Sequence, residues 1–367
     1  MRSLAACIEW RRGSMIVISS SLAPCLPIQL QPRHPRPIWE LPQSAPMRPS
    51  STWVESESRR PDRIDVVSIV TPNHLHFAAC KAFLEAGFHV ICDKPMTTTV
   101  RDAEELVTTA ERMQRVFAVT YNYSGYPLAR HAREMIAAGT LGEIRVVQVE
   151  YAQDWLSTRL ESTGNKQAAW RTDPQKSGIG GCLGDIATHA FHFSEFVTGL
   201  QVAQVAADLS TFVAGRKLDD NVQLMLRYAN GARGMLWASQ VAPGNENGLR
   251  LRVYGDGGSI EWSQEEPNHL RYTPFGQTPR VIARGGAGTG SAAAHSTRLP
   301  PGHPEGYLEG FAQLYRDIAD LIQARLDDTP VNPLVAWVPT ALDGLRGVRF
   351  VHAAVQSSRN NASWISL

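Results

Sequence analysis

The stretch VVSIVTPNHLHFAACKAFLEAGFHVICDKP, residues 66–95, contains two apolar runs separated by a helical pattern. The first run, IDVVSIVTP from residue 64, is rich in β-branched residues, which is typical of a strand buried on both faces of a parallel sheet. Asn73 can cap a following helix that ends at Gly87, and HVICD predicts the next buried strand. Strand, helix and strand with short connections predict a doubly wound α/β unit.

The same alternation continues for about one more helix and strand and then changes. Residues 97–113 predict a helix and residues 116–122 another buried strand. Beyond Gly125, short alternating strands dominate, and the Asn230-Gly231 pair is a strong hairpin signal. The second part of the chain is therefore predicted to be an α+β domain whose mostly antiparallel sheet has one covered face.

Residues 1–60 have a different composition from the rest. Eight prolines fall within residues 24–49, and proline lacks the amide donor that strands and helices need. We expect a proline-rich, disordered extension that adds no cofactor site. The predicted division is an extension over 1–60, the first domain over 61–124 and the second over 125–367.

Composition excludes several classes of function. A content of 43% hydrophobic and 19% charged residues with a net charge of +1 predicts a soluble globular protein without nucleic-acid or membrane partners. Five cysteines without a CxxC pair favour free thiols in a reducing compartment, so we predict a cytoplasmic protein. The alternative is an export signal at Arg11-Arg12, but the apolar run that follows is short and interrupted by polar residues.

Lys94 follows an apolar strand directly, where ligands of open α/β sheets bind. Partial desolvation there would lower the pKa of the lysine and make it a usable proton donor or acceptor. Pro95 restricts the Lys94 backbone to an extended conformation. The alternative is a solvent-exposed lysine at a strand end.

A second candidate group lies in GIGGCLGDIATHAFH, residues 178–192. Asp185 and His189 are four residues apart, so on a helix they share a face and can handle a proton together. Two alternatives stay open: Asp185 caps the helix, or Asp185, His189 and His192 bind a metal. Because no other cluster has ligand spacing, we predict no metal site.

A third candidate is GHPEGY, residues 302–307, which precedes an amphipathic pattern. His303 and Glu305 are predicted either to face a substrate pocket or simply to begin the helix, where proline and an acidic residue are favoured.

Taken together, DVVSIVTPNHLH, the acid-Lys-Pro turn and GG-x-L-x-D-I-x-x-H resemble the Gfo/Idh/MocA family of sugar and polyol oxidoreductases. The resemblance implies a Rossmann-type domain that binds NAD or NADP and an open-faced sheet that forms a homodimer or homotetramer. The fold class is thus an incomplete Rossmann-type doubly wound parallel sheet followed by an α+β domain. The implied substrate is a sugar or polyol.

The resemblance also implies roles for single residues. Lys94, Asp185 and His189 match the catalytic trio and would contact substrate, with His189 as the base. The cofactor would be lined by residues at the ends of the first two predicted strands and by one at the end of the third. These residues are Thr71, Pro72, Asn73, His76, Asp93, Lys94, Pro95 and Asn122.

Two departures from the family pattern limit these implications. Asp93 stands where the family usually has glutamate, and residues 1–60 contain no G-x-G-x-x-G turn for the pyrophosphate. The alternative to an enzyme is a truncated or frame-shifted homologue without cofactor binding, vestigial or sugar-binding. A metal-dependent lyase or hydrolase is a third reading.

Overall fold

The computed structural model describes residues 15–19, 50–61 and 63–367. The chain divides into two compact units. The first contains the described residues up to Thr120 together with Phe311–Leu345. The second contains Tyr121–Gly310 and Arg346–Leu367.

The first unit is built on a four-stranded parallel sheet in the order β1-β2-β3-β4. Val66 pairs with Met15 on one side and His89 on the other, and Val90 pairs with Phe117. The strands are β1 (Met15–Ser19), β2 (Val66–Val70), β3 (His89–Cys92) and β4 (Phe117–Val119). The helices of this unit before residue 120 are α1 (Ser50–Ser58), α2 (His76–Glu85) and α3 (Val100–Arg112).

A long helix from late in the chain completes the core of this sheet. Helix α9 (Tyr307–Leu326) begins in the second unit and buries Leu314, Ile318 and Ile322 among strand residues such as Val66 and Ile91. Burying one such side chain contributes about 1.5–3 kcal/mol. The apolar stripe of α9 therefore ties residues 311–345 to the parallel sheet.

The structure differs from the predicted domain division in two respects. Residues 311–345 belong to the first unit, because the apolar face of α9 packs on the parallel sheet rather than on its neighbours in sequence. Within the proline-rich range, Met15–Ser19 forms a strand and Ser50–Ser58 a helix. The other residues of that range up to residue 49 lie outside the described residues.

The second unit is built on a nine-stranded sheet in which only the β5–β8 pair is parallel. The order is β12-β11-β10-β9-β5-β8-β7-β6-β13. The strands are β5 (Ile144–Ala152), β6 (Val202–Ser210), β7 (Asn221–Tyr228), β8 (Arg233–Ser239), β9 (Gly248–Gly255), β10 (Gly258–Ser263), β11 (His269–Pro274), β12 (Arg280–Ala283) and β13 (Ile365–Ser366). The remaining helices are α4 (Pro127–Ala137), α5 (Lys166–Arg171), α6 (Pro174–Ser177), α7 (Thr188–Thr198), α8 (Ser291–Ser296) and α10 (Ala341–Arg359).

One face of this sheet is covered and the other is open. Helix α7 packs on β5, β8 and β9, and along β7 the side chains of Leu224 and Leu226 are buried while Met225 between them is 53% exposed. The predicted hairpin turn joins β7 to β8 at Gly231, whose φ of 96° favours glycine. The predicted fold class, a parallel α/β sheet followed by an open-faced antiparallel sheet, is confirmed.

Among the described residues, none of the helices combines the length and the apolar character that a membrane crossing requires. The cytoplasmic location stays a prediction.

Candidate active site

The turn after β3 presents Lys94 at the carboxyl end of the parallel sheet. Asp93 Oδ1 accepts a hydrogen bond from the Lys94 amide at 2.9 Å and another from Thr120 Oγ1 at 2.7 Å. Pro95 is buried, and the peptide bond that joins it to Lys94 is cis. The Lys94 amide is thus held by Asp93, and the residue itself is half-buried.

The segment after β2 forms the neighbouring edge of the same sheet end. Thr71 and Asn73 are buried, and Asn73 begins a 3₁₀ turn rather than capping α2 directly. The Thr71 hydroxyl has no hydrogen-bond partner in the part of the chain that the structure describes. A buried hydroxyl without a partner is costly, and a ligand that accepts or donates there would satisfy it.

His76 is among the residues predicted to line the cofactor. In the structure its ring lies against the backbone of the two turns. The residue is completely buried, and its two ring nitrogens lie against the carbonyl oxygens of Pro95 and Thr71. Both polar atoms of the ring are therefore engaged by the protein backbone.

In the second unit, the candidate residues Asp185 and His189 lie in the first turns of a helix. The start of this helix is held by a residue that is distant in sequence. Asp219 accepts hydrogen bonds from the amides of Gly181 and Leu183, each at 2.7 Å. A Cβ on Gly181 would lie 2.2 Å from the Asp219 carbonyl oxygen, so only glycine fits there. Asp219, and not Asp185, satisfies the helix N-terminus.

Asp185 lies in a π-helical turn, Leu183–Ala187, directly before α7. Its Oδ2 accepts a hydrogen bond from Gln240 Nε2 at 2.8 Å and lies 3.3 Å from Arg171 Nε. The guanidinium of Arg171 stacks over the Trp170 ring at 4.2 Å from the centroid. Arg171 and Gln240 were missed from the sequence, because pairs separated by 14 and 55 residues leave no local signal.

His189 lies in an aromatic pocket of the second unit. Its ring centroid is 5.1 Å from that of Tyr123, 5.7 Å from that of Tyr121 and 6.2 Å from that of Tyr151. His192 stacks on Tyr121 at 4.1 Å, so this second histidine packs as an aromatic ring. Within the described ranges, no group of three or more potential metal ligands is found.

Tyrosine hydroxyls give this pocket a polar wall. The hydroxyls of Tyr123 and Tyr151 are 2.5 Å apart, and Tyr151 donates to Asn247 Oδ1 at 2.7 Å. Asn247 in turn donates to Gln264 Oε1 at 3.0 Å. Burial raises the pKa of both tyrosines, so at neutral pH both keep their protons and can donate hydrogen bonds.

The other candidates from the sequence are His303, Glu305 and Asn122. The His303 side chain is exposed on a turn, whereas the group around His189 is buried. Glu305 pairs with Arg284 at 2.9 Å and accepts from the Arg298 amide at 2.7 Å, so it holds its own loop. Asn122 is buried beside the pocket tyrosines in sequence, and its Nδ2 has no partner among the described residues.

Comparison with protein-family profiles identifies a domain in each part of the chain. The profile of the GFO/IDH/MocA oxidoreductase family with an NAD-binding Rossmann fold matches residues 47–121, and that of the GFO/IDH/MocA C-terminal domain matches residues 129–261. The chain therefore belongs to the Gfo/Idh/MocA family of oxidoreductases, a family that binds NAD.

Three relatives illustrate the range of similarity. An oxidoreductase from Sinorhizobium meliloti is 46% identical with a TM-score of 0.77, over 86% of this chain and 83% of that one. An inositol dehydrogenase homolog from Azotobacter vinelandii, solved with NADH and myo-inositol, is 37% identical with a TM-score of 0.79, over 87% and 82%. Levoglucosan dehydrogenase from Pseudarthrobacter phenanthrenivorans is 32% identical over 57% of each chain.

Proposed function

We propose that this protein oxidises a secondary hydroxyl of a sugar, polyol or related compound by hydride transfer to NAD or NADP. The observation that carries the proposal is the buried aromatic cluster around His189, which contains hydrogen-bonded tyrosine hydroxyls and lies next to an anchored carboxylate in sequence. A hydroxylated ring suits such a cluster, since its hydroxyls can donate to the oxygens of the tyrosines and of Asn247.

Oxidation of a carbinol needs a base for the hydroxyl proton. That base must lie within about 3 Å of the oxygen and titrate near neutrality, and an imidazole ordinarily does so. The proposal assigns this role to His189. Asp185, fixed by Arg171 and Gln240, would orient the sugar and the imidazole, and Lys94 would be the second proton-handling group.

The cofactor would supply the hydride acceptor at its nicotinamide ring. The residues present fit the nicotinamide half, because the buried Thr71 hydroxyl and the Asn122 amide nitrogen are unpartnered among the described residues. His76 leaves the predicted set, since both of its ring nitrogens face backbone carbonyls. The residues proposed to line this half are then Thr71, Pro72, Asn73, Asp93, Lys94, Pro95 and Asn122.

Turnover assays test the proposal directly. Relatives were solved with NADH and with myo-inositol or levoglucosan, so these two compounds begin the panel of polyols and sugars. We expect NADH or NADPH formation, followed by its absorbance between pH 6 and 10, with at least one member of the panel. Absence of turnover with every compound and both cofactors, in a protein that binds both, would contradict the proposal.

A second candidate function is sugar binding without a cofactor. The chain has no glycine between Gly13 and Gly87, and Pro24 follows shortly after β1. Pyrophosphate binding relies on close backbone amides at a helix N-terminus, which glycine permits and proline removes. Saturable binding of myo-inositol by calorimetry, without saturation by NADH or NADPH at micromolar concentration, would favour this function over the first.

We also propose that a second copy of the chain covers the open sheet face. A groove of 770 Å³ on that face is lined by Met225, Met235 and Trp237 and flanked by Glu150 and Arg250. Two copies related by symmetry can bury the methionines, while Glu150 and Arg250 pair within each copy at 3.6 Å. Light scattering should give a dimer or tetramer.

The matched variants for this test carry a glutamate on or off the groove. Met225→Glu with Met235→Glu should give a monomer, because it introduces charge into the buried face. Phe275→Glu, at a side chain that is 83% exposed outside the groove, should not change the mass. An unchanged mass in the double variant would exclude this face as the interface.

A further inference from the structure

His76 joins the two turns at the carboxyl end of the parallel sheet. It is the first residue of α2 and is completely buried. Nδ1 lies 2.9 Å from the carbonyl oxygen of Pro95, in the turn after β3. Nε2 lies 2.8 Å from the carbonyl oxygen of Thr71, in the segment after β2. One ring therefore bridges two segments of backbone that are distant in sequence.

The two contacts together define the protonation state of the ring. A neutral imidazole has one N–H donor and one lone pair, and a carbonyl oxygen is only an acceptor. In either neutral tautomer, one nitrogen lone pair would face a carbonyl lone pair at under 3 Å, which is repulsive. Only the imidazolium form donates to both oxygens at these distances, so the geometry requires a buried cation.

The groups around the ring are suited to a positive charge. The titratable groups that face it are Asp93, Cys92 and, behind Cys92, Cys80. Burial opposes the charge, but the surrounding groups, among them the Thr71 carbonyl oxygen, hold the pKa of His76 above its ordinary value. Burial raises the pKa of the Cys92 thiol, so Cys92 is neutral at neutral pH, and the carbonyl oxygens of Thr71 and Pro95 are the acceptors that suit the positive ring.

We propose that His76 is an imidazolium at neutral pH that holds the two turns together and thereby positions Lys94. The Lys94 backbone is then held on both sides: Asp93 Oδ1 accepts from its amide, and His76 donates to the carbonyl of the next residue, Pro95. His76 is a positioning residue and not a catalytic one, because its ring is enclosed by protein. Its effect on turnover rests on the proposed function, whereas its charge and its clasping of the backbone do not.

The charge is tested by nuclear magnetic resonance on the wild-type protein with ¹⁵N-labelled histidine. We expect both ring nitrogens of His76 to be protonated at pH 7 and to remain so up to pH 8. His89 is the internal control: it is also buried, but its Nδ1 accepts from the Val116 amide at 2.9 Å, so it should carry one proton. A single ring proton on His76 at pH 7 would overturn the proposal.

The clasp is tested by hydrogen exchange and kinetics in His76→Gln, with His89→Gln as the matched control. Glutamine has one amide group and cannot donate to both carbonyls in these directions, so amides of residues 71–75 and 93–97 should exchange faster. Exchange in α3 should not change, and the control should leave the two turns protected. Equal loosening of α3 and the turns would show a general loss of stability and contradict the clasp.

The kinetic effect is expected mainly in kcat. A misplaced reacting group costs up to about 100-fold in rate, so His76→Gln should lower kcat roughly 10- to 100-fold with the sugar KM within about twofold. Unchanged kcat would refute the positioning role. If the wild type has no turnover with any compound, the proposed function fails while the two spectroscopic tests still decide the clasp.

Discussion

In each unit, a segment that carries candidate site residues is held by a buried ionisable side chain. The side chain is a hydrogen-bond donor in the first unit and an acceptor in the second. In the first unit His76 donates to two backbone carbonyls that follow strands. In the second unit Asp219 accepts from two backbone amides that begin a helix. Strand ends and helix starts leave carbonyls and amides, respectively, without partners, so a donor suits one and an acceptor the other.

This comparison shows that a turn after a strand and the start of a helix can each be held in place by one buried side chain. The turn with Lys94 is fixed through its backbone, and the lysine itself is half-buried. The helix with Asp185 and His189 is fixed at its start, and the side chains are then held by Gln240 and by aromatic rings. The following experiments separate the reacting groups from the groups that hold them.

The largest effect is expected for His189→Ala. Loss of a positioned base typically costs about 10²- to 10⁴-fold in rate, so kcat should fall by that order from pH 6 to 10. His303→Ala is the control, because the exposed His303 should leave kcat and the sugar KM unchanged. Near-normal turnover of His189→Ala would leave Lys94 as the proton carrier.

The next effect is a pH dependence of stability from His76. Its folded-state pKa is raised above the ordinary value of 6.5, so its contribution is complete below pH 6.5 and is lost as the pH rises through the folded-state pKa. Urea unfolding between pH 6 and 9.5 should show this decline, and His76→Gln should remove it.

His89 gives the opposite slope and serves as the comparison within the same unit. Burial, assisted by Arg115 and two other arginines, lowers the pKa of His89 to about 4. Its contribution is therefore present above pH 6.5 and lost as the pH falls through 4. A decline above pH 6.5 that persists in His76→Gln would assign the effect to another group.

A smaller effect is expected for Asp219→Asn. Burial raises the pKa of Asp219 to about 6, so above that pH it is a carboxylate that accepts both amides. Asparagine offers one oxygen, and the second buried amide would lose its partner at a cost of about 1–3 kcal/mol. Asp173→Asn, at an exposed helix start, should change unfolding by only a few tenths of a kcal/mol, about the precision of the measurement. Equal effects of the two variants would contradict the special position of Asp219.

The smallest effect is expected for Arg171→Ala. Its pair with Asp185 is mostly buried, so its loss should free the carboxylate and raise the sugar KM about tenfold. Lys176→Ala removes a pair of the same 3.3 Å length that is largely exposed, and should leave KM within about twofold. If both variants behave alike, Asp185 is held without Arg171.

Much of the site was visible in the sequence, because the residues that carry it sit at recognisable strand ends and at the start of a patterned helix. Lys94, Asp185 and His189 were found in this way, and their roles stay predictions. Arg171, Gln240 and Asp219 were not, since each acts on a segment far from it in the chain. His303 was singled out by its neighbours in sequence, yet its side chain is exposed.

The sequence alone determined the fold class, since apolar runs, helical spacing and the Asn230-Gly231 turn are local properties of the chain. Only the tertiary structure decided that residues 311–345 join the first unit and that β1 pairs with β2. An apolar pattern in the sequence shows that a face is buried but does not specify which element it packs against. The same holds for His76. Its charge follows from two carbonyl oxygens 5 residues before it and 19 after it, which only folding brings to one ring.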